Sequence, residues 1–93
     1  MSLMEALQRM TLEPARRLEG RAPSMAAKGR LRVGADADIT VFDPAKVIDR
    51  ATYEDGTIPS AGIPYVVVGG QVVVDGEKIT AARPGRAIRA PQK

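Results

Sequence analysis

The apolar residues near the start of the chain follow the spacing of one side of a helix. They recur three and four positions apart at Leu3, Ala6, Leu7 and Met10. This period is typical of an amphipathic helix whose apolar side packs against another element. Ser2 followed by Glu5 has the spacing of a capping box, so the helix is predicted to begin at Ser2.

A second helical stretch follows directly. Thr11 is a candidate N-cap, and Pro14 then stands in the first helical turn, where its missing N–H costs nothing. Leu18 continues the apolar stripe, and Gly20 is a natural terminator. Residues 2–19 are therefore predicted to form two short helices or one interrupted helix.

The helical pattern is followed by a change of character. Residues 21–28 show no clear period and are predicted to be a loop. In residues 29–34, Leu31 and Val33 alternate with arginines, and this alternation indicates β structure. Residues 37–42 are rich in strand-forming side chains and predict the next strand.

The clearest local signal is a β-hairpin. Tyr65–Val68 and Gln71–Val74 are separated by Gly69-Gly70, and two glycines supply the positive φ angles that a type I′ turn requires. Asp75-Gly76 predicts a second turn, which leads into residues 78–80. Because the valines are continuous and do not alternate with polar residues, we expect both faces of the hairpin to be covered.

The composition removes most catalytic chemistries. The chain has 93 residues, of which 44% are hydrophobic, and it contains no His, no Cys and no Trp. Without imidazole or thiol groups there is no zinc finger, no Ser–His–Asp triad and no cysteine nucleophile. No apolar run approaches the roughly 20 residues of a membrane span. We expect one soluble, cytoplasmic domain with little catalytic equipment of its own.

Charge is unevenly distributed along the chain. The net charge is +4 over residues 1–35, −6 over residues 36–77 and +5 over residues 78–93. The basic tail consists of Arg83, Arg86, Arg89 and Lys93. Such a tail is a candidate nucleic-acid contact, or it lies across the acidic middle of the same fold, or it is a solvated chain end. No aromatic or glycine-rich RNA motif accompanies it, so we do not expect nucleic-acid binding.

The acidic residues of the middle segment are candidates for turns or for a cation. Asp36 and Asp38 flank a turn after Gly34, where an Asp side chain can bond to its own backbone, and Asp43 before Pro44 ends a strand in the same way. Two carboxylates at i and i+2 could also bind a hard cation loosely. We favour the structural roles in turns.

Three blocks of the sequence resemble the carboxyl-terminal end of the amidohydrolase superfamily. They are residues 10–18 (MTLEPARRL), 28–44 (KGRLRVGADADITVFDP) and 62–76 (GIPYVVVGGQVVVDG). Residues 49–55 (DRATYED) and 82–86 (ARPGR) are most similar to the N-acyl-D-amino-acid deacylase, or D-aminoacylase, branch. Residues 21–27 depart from the family, whose members run more directly into the Gly-Arg block.

The resemblance implies a fold that is incomplete in this chain. Family members have a (β/α)₈ barrel and a composite β-sandwich built from both ends of the chain, and a barrel alone takes about 250 residues. Residues 1–20 then correspond to the last barrel helices, residues 21–28 to a linker, and residues 29–93 to the carboxyl-terminal sandwich strands. The expected fold is mainly β, with one or two short amino-terminal helices and a partial β-sandwich that lacks the barrel.

The resemblance also implies an empty list of catalytic, cofactor-binding and metal-binding residues here. The family's metal ligands are histidines with a bridging carboxylated Lys, Glu or Cys, its base is an Asp, and all precede the matched segment. Zinc or another divalent metal is expected in the parent barrel and none in this chain. The expected partners are that missing barrel and further copies of the chain, with no membrane contact.

Two functions remain open on this reading. The first is a catalytically incompetent scaffold segment of a metal-dependent amidohydrolase that cleaves non-peptide C–N amide bonds, such as those of N-acyl-D-amino acids. The second is a free-standing β-rich module that binds nucleic acid or protein through its basic ends.

Overall fold

The computed structural model describes residues 1–91, so Gln92 and Lys93, the last residue of the basic tail, lie outside it. Two helices, a 3₁₀ helix and a four-stranded antiparallel sheet follow one another along the chain. Their bounds are α1 Leu3–Met10, α2 Leu12–Leu18, 3₁₀ Pro23–Ala27, β1 Ile39–Val41, β2 Tyr65–Val68, β3 Gln71–Asp75 and β4 Lys78–Ile79. In the described part of the chain, no helix combines the length and the apolar character needed to cross a membrane.

The chain divides into two compact units. The helical unit comprises Met1–Asp36 together with the residues from Arg86 on, and the sheet unit comprises Ala37–Gly85. In the helical unit, Ala15 is the one apolar side chain among the described residues that is fully buried, with 2% of its surface exposed.

The predicted helix pair is confirmed, with a break at Thr11. The hydroxyl of Ser2 accepts a hydrogen bond from the Glu5 N–H at 3.1 Å, which confirms the predicted start of α1. The predicted side-chain cap at Thr11 is wrong, because its hydroxyl donates to the Leu7 carbonyl at 2.7 Å. The Leu7 carbonyl accepts from the Thr11 N–H as well, at 3.0 Å, so both donors of Thr11 bond back to the last turn of α1.

The end of α2 is also formed differently from the prediction. Gly20 does not have a positive φ angle. The Leu18 carbonyl accepts from the N–H groups of Arg21 and Ala22, at 3.1 and 2.9 Å. These main-chain bonds satisfy the last carbonyl of the helix without a left-handed glycine.

Two predictions for residues 21–34 are wrong. The predicted loop contains the 3₁₀ helix Pro23–Ala27, and the predicted β structure of residues 29–34 is a bend and turn. Leu31 and Val33 are 85% and 103% exposed, so neither contributes to a core. A strand needs a partner, and here Arg30 instead bonds the Lys28 carbonyl at 2.8 Å and holds the segment against its own neighbours.

The sheet has the simplest antiparallel order, β1-β2-β3-β4. Strand β1 confirms the strand predicted within residues 37–42, and β2 and β3 confirm the hairpin. Gly69 and Gly70 form its turn with φ angles of 57° and 79°. A register shift between Val66 and Val67 marks a β-bulge, which places Val73 between the paired residues Val72 and Val74 of β3.

The second turn lies one residue later than predicted. Asp75 pairs with Lys78 inside the ladder, so the turn consists of Gly76 and Glu77. Glu77 has a φ of 68° and is the one non-glycine residue with a positive φ among the described residues. Its N–H donates to the Pro64 carbonyl at 3.0 Å, and its carboxylate accepts from the Gly62 N–H at 3.0 Å. These two bonds explain how a glutamate is held in a conformation that favours glycine.

One face of the sheet carries a continuous set of apolar side chains. Cross-strand partners point to the same face, and the pairs Ile39–Val67, Val67–Val72 and Val41–Tyr65 therefore share one. We call Ile39, Val41, Tyr65, Val67 and Val72 the apolar sheet face, and the pairs Tyr65–Asp75 and Asp75–Lys78 place two charged residues at its border. All five except the half-buried Val67 are exposed by 38–45%, so the prediction that both faces are covered does not hold within the described chain.

Candidate functional site

The three aspartates singled out in the sequence lie in three different settings. The carboxylate of Asp36 pairs with the Lys28 ammonium at 2.9 Å, and that of Asp38 accepts from the Gly69 N–H at 2.8 Å. Asp43 accepts from the Ala45 N–H at 2.9 Å, which confirms its predicted local turn. The partners of Asp36 and Asp38 lie farther away, 8 and 31 positions along the chain, so their predicted local role in the turn stays a prediction.

These contacts leave no metal centre in the part of the chain that the structure describes. Among residues 1–91, no three or more Asp and Glu side chains lie close enough together to hold an ion. Asp38 instead fixes the hairpin, because it bonds Gly69 while the Ala37 carbonyl accepts from the Gly70 N–H at 3.0 Å. The two residues just before β1 thus hold the turn between β2 and β3 in place.

Helix α1 and the start of α2 border an open depression of about 470 Å³. It is lined by Glu5, Gln8, Arg9 and Glu13. The Gln8 amide donates to the Glu13 carboxylate at 2.9 Å, and all four residues are exposed. The depression therefore offers no water-excluded place in which a reaction could be promoted.

Arg30 organises the middle of the helical unit. Its guanidinium pairs with the Glu19 carboxylate at 3.2 Å and donates to the carbonyls of Lys28 at 2.8 Å and Met25 at 3.5 Å. The Arg30 side chain is only 17% exposed. Since a planar guanidinium has five donors in a fixed fork, one side chain ties the 3₁₀ helix to the end of α2.

The loop between β1 and β2 is closed at its base and braced at its tip. Ile48 and Ala61 exchange two backbone hydrogen bonds of 3.0 Å each, and we call the enclosed residues 49–60 the Tyr53 loop. Close to the tip, the Thr52 N–H donates to the Asp55 carbonyl and the Asp55 N–H to the Thr52 hydroxyl, both at 2.9 Å. Tyr53 lies inside this brace and is fully exposed, at 108%.

The pKa of the Asp55 carboxyl is shifted by contacts within the Tyr53 loop. The hydroxyl and the N–H of Thr57 donate to the Asp55 carboxylate at 2.6 and 3.0 Å. These bonds stabilise the charged form and hold the pKa of Asp55 below its ordinary value, the hydroxyl having the larger effect. Asp55 is solvent-exposed and faces no cleft, so its lowered pKa reflects loop structure.

The sequence analysis named residues 49–55 for their family resemblance but did not predict the hydrogen bonds that brace the Tyr53 loop. The spacing Thr52-x-x-Asp55-x-Thr57 was the available signal, because Asp and Thr side chains bond to backbone groups two or three residues away. No local sequence pattern indicates that the Arg30 guanidinium bonds the Glu19 carboxylate, because the two residues are eleven positions apart.

The comparisons with known proteins identify the family. The model described as the amidohydrolase family matches residues 1–74, most of the chain. The chain belongs to the amidohydrolase family. The resemblance seen in the sequence is therefore confirmed.

Two curated amidohydrolases show which branch is most similar. The chain is 43% identical over 89 residues to the N-acyl-D-glutamate deacylase of Alcaligenes xylosoxydans xylosoxydans. It is 39% identical over 88 residues to the N-acyl-D-aspartate deacylase of the same organism. These matches cover 96% and 95% of this chain but only 17% of each relative. The chain thus spans about one sixth of the length of the amidohydrolases it matches.

Solved amidohydrolase structures share its fold. A D-aminoacylase crystal structure matches with a TM-score of 0.78 and 36% identity, over 95% of this chain and 18% of that protein. The N-acyl-D-glutamate deacylase from Bordetella bronchiseptica matches with a TM-score of 0.76 and 44% identity, over 97% of this chain and 18% of that protein. That deacylase was solved with zinc and a phosphonate inhibitor that mimics the tetrahedral intermediate.

Proposed function

We propose that this chain is the carboxyl-terminal scaffold segment of a metal-dependent amidohydrolase and does not catalyse hydrolysis alone. One observation carries the proposal: 95–97% of the chain matches only 17–18% of N-acyl-D-amino-acid deacylases. The parent enzyme hydrolyses the amide bond of N-acyl-D-amino acids. The chain supplies structure to that enzyme, as its lack of His and Cys also suggests.

The parts of the chain have separate roles in this proposal. Residues 1–20 correspond to the last barrel helices, residues 21–28 link them to the sheet, and residues 29–93 contribute strands to a composite β-sandwich. The apolar sheet face supports this arrangement, because four of its five side chains are exposed in the chain alone. An exposed apolar face of this kind is expected to be covered in the complete protein.

The metal belongs to the barrel in this account. Zinc sites use His, Cys and carboxylate ligands, and this chain has no His or Cys at all. Asp36 is paired with Lys28, and Asp43 with its own turn. The residues of the chain therefore do not fit a catalytic zinc ion, and zinc or another divalent metal is held by residues of the parent that precede this segment.

The parent enzyme, in this proposal, works in the cytoplasm.

The isolated chain self-associates through its exposed apolar surfaces. Leu3, Met10 and Leu18 of the helical stripe are 51%, 73% and 52% exposed, in addition to the apolar sheet face. Copies of the chain can cover these surfaces for one another. Sedimentation velocity over a dilution series measures this association, and a compact monomer at all concentrations contradicts it.

An amine-release assay tests the lack of activity. The purified chain is incubated with N-acetyl-D-glutamate in the presence and absence of added zinc, with N-acyl-D-glutamate deacylase as a positive control. We expect no release of free amine above the protein-free background. Turnover that depends on zinc contradicts the proposal, because it requires a catalytic site within these 93 residues.

Charge supports a second candidate, a module that binds nucleic acid. Residues 1–36 and 86–93 carry ten basic and four acidic side chains, a net charge of +6. Arg83, predicted to belong to a basic tail, instead donates to the Thr80 and Ala82 carbonyls of its own segment. A salt titration of oligonucleotide binding separates the candidates, because phosphate contacts weaken steeply with salt and the scaffold segment shows no such signal.

A further inference from the structure

We propose that Tyr53 is the anchor through which the sheet unit docks onto the barrel of its parent hydrolase. The inference rests on the proposed function, since the occupant of the docking surface is the part of the parent that this chain lacks. It adds a residue and a surface: Tyr53, presented by the Tyr53 loop, fills an apolar pocket of the barrel.

The ring of Tyr53 is the most exposed aromatic ring of the chain. Tyr53 is 108% exposed, whereas Tyr65 is 45% exposed and Phe42 is half-buried. An aromatic side chain buries about 150–250 Å² of surface when it enters a pocket. Tyr is also enriched among the residues that contribute most of the binding energy of protein interfaces. Its hydroxyl can remain at the polar rim while the ring is desolvated.

The loop that carries the Tyr53 ring is held rigidly at its base and near its tip. The Ile48–Ala61 bridge closes the base, and Thr52 and Asp55 brace the tip with two bonds of 2.9 Å. Next to the base, Gly62 is buried with a φ of 83°, and a Cβ there would lie 2.5 Å from the Lys46 carbonyl carbon. A loop held at both ends loses little conformational entropy when it docks, which favours a rigid anchor.

The Tyr53 loop lies in a segment that the solved deacylases share, and those proteins extend far beyond it. The solved deacylases match 95–97% of this chain, so a loop near its middle lies within the shared segment and is not an insertion outside it. The same matches cover 18% of those proteins, so more than four fifths of their length is available to surround the segment. In the proposed function the barrel is the main part of that remaining length, and it is the surface that we assign to the Tyr53 loop.

A chimera provides the test. This chain replaces the matching segment of the Bordetella bronchiseptica N-acyl-D-glutamate deacylase, with which it is 44% identical. The chimera and the isolated chain, the latter at a dilution at which sedimentation shows a monomer, are nitrated with tetranitromethane. The modification rate of each tyrosine of this segment is followed by peptide mass spectrometry. Tyr53 is expected to react at least roughly tenfold more slowly in the chimera, because a ring that anchors an interface is fully desolvated.

Tyr65 distinguishes failure of this inference from failure of the proposed function. It lies on the apolar sheet face, so it becomes protected if the segment docks at all. Protection of Tyr65 without protection of Tyr53 overturns the anchor and leaves the scaffold function standing. If neither tyrosine is protected, both proposals are contradicted.

Substitutions separate an interface anchor from a residue needed for local folding. Tyr53→Ala is expected to lower the thermal midpoint of the chimera and leave that of the isolated chain unchanged. Tyr53→Phe, which keeps the ring, and Glu54→Ala, at the exposed neighbouring position, are expected to behave as the unsubstituted chimera. Equal loss in the chimera and the isolated chain, or no loss in either, overturns the proposal.

Discussion

The helical unit and the sheet unit are stabilised by different kinds of contact. In the helical unit, charged side chains join segments that are distant in the sequence, as in the pairs Arg30–Glu19 and Lys28–Asp36. In the sheet unit, the backbone hydrogen bonds of the strand ladder join such segments. Each unit also has one close backbone approach at a glycine with a positive φ angle, Gly29 against Thr11 in the helical unit and Gly62 against Lys46 in the sheet unit. The units therefore differ in what joins their distant segments, ion pairs in one and a strand ladder in the other, and not in their use of glycine.

The largest predicted effect tests the backbone geometry. Gly62→Ala places a Cβ 2.5 Å from the carbonyl carbon of Lys46 and keeps a φ of 83°. We expect a loss of about 3 kcal/mol in the free energy of unfolding, from the left-handed conformation and the overpacking together. Urea denaturation followed by circular dichroism measures it.

Gly70→Ala is the matched control for Gly62→Ala. It has a similar φ of 79°, but no atom lies within 4 Å of the added Cβ. Its cost is expected to be only the conformational part, about 1–2 kcal/mol. Equal losses for the two variants would show that the close approach at Gly62 does not contribute.

The next effect concerns the helical unit. Arg30→Lys keeps the positive charge but removes the planar fork that reaches Glu19 and the Lys28 carbonyl. We expect a loss of about 1–2 kcal/mol, because the side chain is mostly buried and its bonds involve a charged donor. Faster amide hydrogen exchange confined to residues 19–30 is the corresponding local signature.

Arg32→Lys serves as the control for Arg30→Lys. Arg32 is exposed, and its guanidinium has a single, long bond of 3.4 Å to the Ala26 carbonyl. Its replacement is expected to change stability by less than about 0.5 kcal/mol. An effect as large as that of Arg30→Lys would mean that overall charge, and not the fork of Arg30, holds the segment.

The smallest effect is a pH dependence of the Tyr53 loop. The Thr57 hydroxyl and N–H hold the pKa of Asp55 below its ordinary value. The two Thr57 bonds to the Asp55 carboxylate are therefore at full strength above the ordinary carboxyl pKa and weaken as the pH falls through the lowered value. Thr57→Val removes the hydroxyl, and carboxyl NMR titration should show the pKa of Asp55 rising, while Thr40→Val, in β1, leaves it unchanged.

The hairpin could be predicted because its partners are neighbours in the sequence. Val66–Val68 and Val72–Val74 flank two glycines, so strand propensity, turn chemistry and pairing agree within ten residues. Ser2 and Glu5 are similarly close, and their cap was predicted. Asp43 bonds a backbone group two residues away, again within reach of local reasoning.

The missed features depend on contacts between distant residues. Leu31 and Val33 alternate as in a strand, but a strand forms only with a partner, and Arg30 ties its segment to Glu19 and Met25. Asp38 bonds Gly69, 31 positions away, which no local pattern indicates. The full exposure of Tyr53 is likewise not indicated by any local pattern, because exposure is decided by the three-dimensional arrangement.

The activity of the deacylase chimera tests the central claim most directly. Its zinc-dependent kcat/KM for N-acetyl-D-glutamate is compared with that of the unmodified Bordetella bronchiseptica deacylase and of the same deacylase without the matching segment. The scaffold account predicts that the chimera is active and the deletion is not. A chimera that is as inactive as the deletion contradicts the claim that this chain completes an amidohydrolase.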